Sequence, residues 1–200
     1  MTRYEENPSV ESSVIENYNQ EYTRFTKLHA QALDFVKFLT TLERQFKSIT
    51  QGDLVGIEET IPSLLNGLKL IFTISRHINA ETTKMEKLLH SISNEICEKV
   101  AHKINLKTIF RDKPDKSIAI IEQGEKCLNK WVNKFQETKK EIEKENNGQN
   151  RWDFSTTGEL FDRPRYMRQV LGSLKEACTI LKDFFAILGP DLKAVTGDAE

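Results

Sequence analysis

The sequence predicts an all-α fold, an elongated helical bundle of about five long helices with an aromatic-rich loop before the last. Apolar residues recur at spacings of three and four over most of the chain, and turn-forming residues cluster at only a few points. No stretch alternates with period two for long enough to make a sheet. Hydrophobic residues are 38% and charged residues 30% of the 200-residue chain, a balance that suits amphipathic helices with wide solvated faces. The expected organisation is a disordered N-terminus over 1–12, a helical bundle over 13–145, an aromatic loop over 146–165, and a last helix with the start of a further segment over 166–200.

The first helix is read from about Ser9 to Ile49. Ile15, Tyr18, Tyr22, Phe25, His29, Ala32, Val36 and Leu39 form a heptad seam. A second seam, Leu28, Ala32, Phe35, Leu39, Leu42, Phe46 and Ile49, lies beside it. Two adjacent seams make a broad apolar stripe, so this helix should pack against more than one neighbour. "TQGDLVG" ends it.

Pro62 is placed in the first turn of the next helix, where a missing N–H has no intrahelical partner to lose. From Ile61 to Ile78 that helix is apolar nearly all round, so it must be buried on most sides. Asn79 followed by "AET" reads as an N-cap with an acid in the first turn, opening a helix that reaches about Ile104 with Met85, Leu89, Ile92, Ile96 and Val100 on its stripe. Pro114 opens a fourth helix carrying Ile118, Ile121, Leu128, Trp131, Phe135 and Ile142. The stretch from Gln149 to Arg165 has no helical period but holds Trp152, Phe154, Leu160 and Phe161, which predicts a loop pinned onto the bundle. The last helix starts near Pro164 and ends at "GPDLKAVTGDAE".

The composition excludes several function classes. Lys plus Arg (29) nearly equals Asp plus Glu (30), leaving a net charge of −1 and no global field to draw in nucleic acid. Lys69 and Arg76 bracket too short an apolar run for a membrane span, and no apolar signal segment opens the chain. Cys97, Cys127 and Cys178 are far apart and odd in number, as expected of core thiols in a reducing compartment.

Chemistry is equally hard to find. A phosphate-binding loop requires G-x-x-x-x-G-K-[ST], and the sequence contains no Gly-Lys dipeptide. Helical metal sites use Glu-x-x-His, yet Thr26, Ile74, Lys87 and Lys99 stand three before the four histidines. Glu86 with His90 and Glu98 with His102 are i,i+4 pairs of the kind that make surface contacts. Asp153, Glu159 and Asp162 read as helix-capping acids, and "RPRYMR" as a salt-bridged face. No catalytic, cofactor-binding or metal-ligating residue is predicted, and the chain is read as non-enzymatic. An unrelated spectrin-like adaptor remains the alternative; a membrane-curving bundle does not fit lysines interleaved with glutamates at 134–145.

The order of two long motifs is specific. "IPSLLNGLKLIFTISRHINAETTKMEKLLHSISNEI" resembles the N-terminal tail region of dynein heavy chains, with Pro62, Leu64, Leu65, Ile74, Ser75, Arg76, Asn79, Met85, Leu88 and Asn94 as matching positions. "RWDFSTTGELFDRPRYMRQVLGSL" resembles the same family's Trp-Asp-Phe loop and the element after it, through Trp152, Asp153, Phe154, Leu160, Phe161, Arg163 and Leu171. The terminal "FFAILGPDLKAVTGD" is similar to the axonemal, outer-arm type branch. His77 and Ile78 depart from the family, which carries an aromatic between the Arg and the Asn.

The resemblance implies a structural role. Tail segments pair heavy chains, carry intermediate and light chains, and attach the motor to axonemal docking factors, for microtubule-based ciliary or flagellar movement in the cytoskeleton. The ATPase belongs to the parent heavy chain, and ending at Glu200 implies a fragment or truncated gene model. The resemblance makes Pro62, Ser75, Arg76, Asn79, Trp152, Asp153, Phe154, Phe161 and Arg163 the motif or interface candidates.

Overall fold

A computed structural model describes residues 8–75, 82–110, 113–145, 152 and 157–196, with only the backbone described at 8–11, 108, 157–158 and 189–196. Among the described residues the chain forms eight helices and no strand: α1 (Pro8–Thr41), α2 (Glu43–Gln51), α3 (Leu54–Ile74), α4 (Thr83–Lys103), α5 (Leu106–Ile109), α6 (Pro114–Glu145), α7 (Thr157–Leu160) and α8 (Asp162–Thr196). The all-α expectation holds.

α3 is the buried member. Its Leu54, Ile57, Ile61, Leu64, Leu65, Leu68, Ile71 and Phe72 are all in the core, so neighbours must cover it on several sides. α6 covers one side and α2 another, while α4 and α8 close the bundle against α6. Interhelical contacts fix the directions. Lys175 pairs with Glu122 and Lys182 with Asp115, so α8 runs antiparallel to α6. Ser93 meets Trp131, and Val100 faces Gly124, so α4 is also antiparallel to α6. Lys69 reaches Glu141 while Glu58 lies alongside Lys116 and Gln123, so α3 and α6 are parallel.

Three elements differ from the sequence reading. α3 begins at Leu54, well ahead of Pro62, because Asp53 caps it: the Gly56 N–H donates to Asp53 Oδ1 at 2.9 Å. Pro62 therefore sits inside the helix and removes a backbone hydrogen bond, a loss offset by burial of Leu54, Ile57 and Ile61. The first long helix is interrupted at Leu42, yet the Leu42 and Phe46 N–H groups still donate to Phe38 and Leu42 carbonyls, so the axis continues. The last helix runs through Pro190 to Thr196, since proline costs one N–H and strong helix formers such as Leu192, Lys193 and Ala194 follow it.

The chain turns at Gly52, where an added Cβ would collide with the Ser48 carbonyl oxygen. At Gly124 the reason for glycine is helix approach: a Cβ would stand 2.8 Å from Ile104 Cδ1, 3.1 Å from Val100 Cγ1 and 3.4 Å from Leu171 Cδ1. The Gly124→Val variant is expected to lose about 1–3 kcal/mol of stability through overpacking, read as a lower urea midpoint with an unchanged m-value. A midpoint equal to the parent's would show that α4 and α8 do not converge on this point.

Candidate interaction surface

Trp152 points inward. Trp152 is fully buried, stacked on Phe135 with ring centroids 5.1 Å apart and on Phe72 at 6.2 Å. Phe161 meets Phe135 edge-on at 5.0 Å, and Trp131 packs beside Phe135 at 6.2 Å. Three segments distant in sequence thus share one aromatic cluster. A buried relay closes it: Trp131 Nε1–H donates to Ser93 Oγ at 3.2 Å, and the Ser93 hydroxyl donates to the Leu160 carbonyl at 3.0 Å. The loop expected to be pinned by aromatics is pinned through Trp152, Leu160 and Phe161, although 157–160 coil into α7.

Three other candidate positions fall among the described residues: Ser75, Arg163 and Pro62. Ser75 is buried as the C-cap of α3, its N–H donating to the Ile71 carbonyl at 2.9 Å. Arg163 is exposed and spans α8 to α4, donating to Asn94 Oδ1 at 3.1 Å and Glu98 Oε1 at 3.4 Å. Pro62 is half-buried in α3, about three turns before Phe72. Arg76, Asn79, Asp153 and Phe154 lie outside the described residues.

Several charged groups link one helix to another. Lys69 donates to Glu145 at 2.7 Å and to Glu141 at 3.0 Å; the Glu145 bond leads in raising the lysine above its ordinary pKa, and the Lys69 bond lowers Glu141. Burial pushes the Cys127 thiol up to about 12 and Cys97 up to about 11. Both are therefore neutral and poorly nucleophilic at neutral pH. Among the described residues, no group of His, Cys, Asp and Glu is placed to hold a metal ion, and no helix is long and apolar enough to cross a membrane.

What the sequence seams did not separate is which face stays open. From Gln31 onward, α1 docks on its own bundle: Phe35 and Phe38 sit beside Leu68, Ile71, Met85 and Leu88, with Lys84 over the Phe35 ring. That contact uses Phe35 and Leu42 of the second seam together with Phe38, which lies on neither seam. The first seam faces outward: Tyr18 is 68%, Tyr22 61% and Phe25 65% exposed. Residues 12–29 are exposed without exception, because Gly67 packs on Leu42 and α1 therefore passes the end of α3 before its own first half. At the other end, α8 continues past Asp115, exposing Phe184, Phe185, Ile187 and Leu188. The bundle carries an apolar overhang at each end.

The described residues thus form a helical bundle whose projecting faces are apolar. The chain belongs to the family of the dynein heavy chain, N-terminal region 1, whose model it matches over residues 8–198. It is 34% identical over 94% of its length to human dynein axonemal heavy chain 10, and 35% identical over 96% to the dynein-1-alpha heavy chain of the flagellar inner arm I1 complex of Chlamydomonas reinhardtii. A dynein gamma chain of the flagellar outer arm from the same alga is 28% identical over 37% of the chain. The chain spans 4% of the length of the first two relatives, and the region it matches is N-terminal.

Truncation separates the two kinds of motif residue. Trp152→Ala is expected to cost about 3–5 kcal/mol, seen as a lower urea midpoint and a diminished near-UV signal. Arg163→Ala, which removes exposed contacts, should cost no more than about 1 kcal/mol. Equal losses would mean that the aromatic cluster does not hold the bundle together.

Proposed function

We propose that this segment is a non-catalytic part of a dynein heavy-chain tail, mediating heavy-chain assembly and the binding of intermediate and light chains or axonemal docking factors, in ciliary or flagellar axonemes. The observation that carries it is the outward seam of α1. Large apolar side chains contiguous over seven turns are a hallmark of contact surface, and the helix presenting them is anchored at its C-terminal end by Phe35, Phe38 and Leu42. A scaffold of this kind needs a rigid body and projecting helices, and membership of a heavy-chain N-terminal family supplies the assembly context. The axonemal setting rests on the relatives' descriptions.

Buried Trp152 is unsuitable for testing contact, since its loss disturbs the fold. Exposed α1 positions are suitable. The segment immobilised and exposed to ciliary extract should recover dynein heavy, intermediate or light chains, and Tyr22→Glu with Phe25→Glu should reduce that recovery at least tenfold while leaving helicity unchanged. Equal recovery by parent and variant would remove α1 from the interface, and recovery of none by either would reduce the segment to a spacer.

A further inference from the structure

Two glycines lie inside the paired helices α6 and α8, and packing accounts for one of them. Gly124 is crowded by three side chains, whereas a Cβ at Gly172 would meet nothing within 4 Å among the described residues. Glycine inside a helix is less stable than alanine, and here its missing side chain leaves bare backbone open to whatever approaches from outside. One turn earlier in α8 lies a groove of about 440 Å³, lined by Glu125 and Asn129 of α6 and by Arg165, Arg168 and Gln169 of α8. Helical spacing builds both walls: Glu125 and Asn129 stand one turn apart, and Arg165 and Arg168 share the face that reaches Gly172. Lys175 to Glu122 at 2.9 Å and Lys182 to Asp115 at 2.6 Å hold the two walls together.

The charges that line this groove do not cancel. Arg165 donates to Asp162 Oδ1 at 3.2 Å, and Glu125 lies 3.7 Å from Lys175 Nζ. The Arg168 side chain is exposed and makes no ion pair among the described residues. Apart from Glu125, every lining side chain offers N–H donors, two guanidiniums and two carboxamides. A guanidinium grips a carboxylate through a two-point fork, and the amides of Asn129 and Gln169 are at hand for the peptide groups beside it. One uncompensated cation suits one carboxylate, whereas a nucleic acid needs a row of cations that a chain of net charge −1 does not supply. We propose that this groove receives an acidic peptide segment of another protein, with one carboxylate on Arg168 and the main chain against Gly172. No residue of α1 lines it, so it is a second contact surface, independent of the outward seam and of the assembly reading.

Fluorescence anisotropy with the 200-residue chain tests this. A labelled Glu-Ala repeat peptide should bind with a Kd on the order of 100 μM, and its Gln-Ala twin roughly tenfold more weakly. Arg168→Gln should weaken the Glu-Ala peptide roughly tenfold, while Arg163→Ala, whose side chain turns to α4 instead, should leave it unchanged. Gly172→Leu separates binding from folding. Leucine forms helix better than glycine and has open space there, so the melting temperature should rise by about 2–4 °C while peptide binding falls roughly tenfold. A glycine kept only for packing would not give a gain in stability together with a loss of binding. Unchanged binding in Arg168→Gln would remove the carboxylate anchor, and unchanged binding in Gly172→Leu would remove the groove; either overturns the proposal. So would failure of the Glu-Ala peptide to bind the parent chain, or its full displacement by inorganic phosphate at the peptide's own concentration, which would mean a small-anion site.

Discussion

Helix α3 is apolar on too many sides to lie on a surface, and its coverage sets the rest of the architecture. Eight of its side chains are in the core. One neighbour cannot enclose them, so α2 lies on one side and α6 on another, and α6 is in turn held by α4 and α8. Glycine at 124 permits the close approach of that second layer. Trp152 then seals the end of the core, stacking between Phe72 of α3 and Phe135 of α6. The polar contacts are arranged around this burial. Lys69 links α3 to two glutamates of α6, and lysines of α8 pair with acids of α6, partly exposed pairs that set register more than they add stability.

A core centred on α3 has finite length, and the outer helices exceed it. α1 is 34 residues and α8 is 35, against 21 for α3. The surplus emerges at opposite ends, carrying apolar residues that the bundle itself cannot bury. Among the described residues, lysines and acidic residues pair between helices, and exposed apolar groups lie on the projecting helices. Such a distribution suits a segment joined into a longer assembly, in keeping with heavy-chain relatives of which it spans 4%.

Much of this was legible from residue spacing. The all-round apolar character of 61–74 announced a buried helix, and the aromatics of 152–161 announced a pinned connection. Pro62 suits a first turn, but the Asp53 cap starts the helix earlier. At the chain's other end "GPDLKAVTGDAE" reads as a stop, yet the helix continues through Pro190 to Thr196. The two seams of α1 were both visible, but periodicity reports only that a face is apolar, not whether this chain or another covers it. Choosing between them required the long-range contacts of Phe35, Phe38 and Leu42. Trp152 and Phe161 stood out as motif residues, and only packing shows that they close the core while Arg163 remains at the surface.

Amide hydrogen exchange, followed by mass spectrometry on the dilute monomer, tests the central claim that a rigid α3-centred core carries an α1 whose first half has no intramolecular cover. Peptides from α3 and α6 should exchange only near the global unfolding rate, while peptides within 12–29, held by local helix propensity alone, should exchange orders of magnitude faster. Protection of 12–29 equal to that of α3 would contradict the account, because it would mean that the chain already buries the face here assigned to a partner.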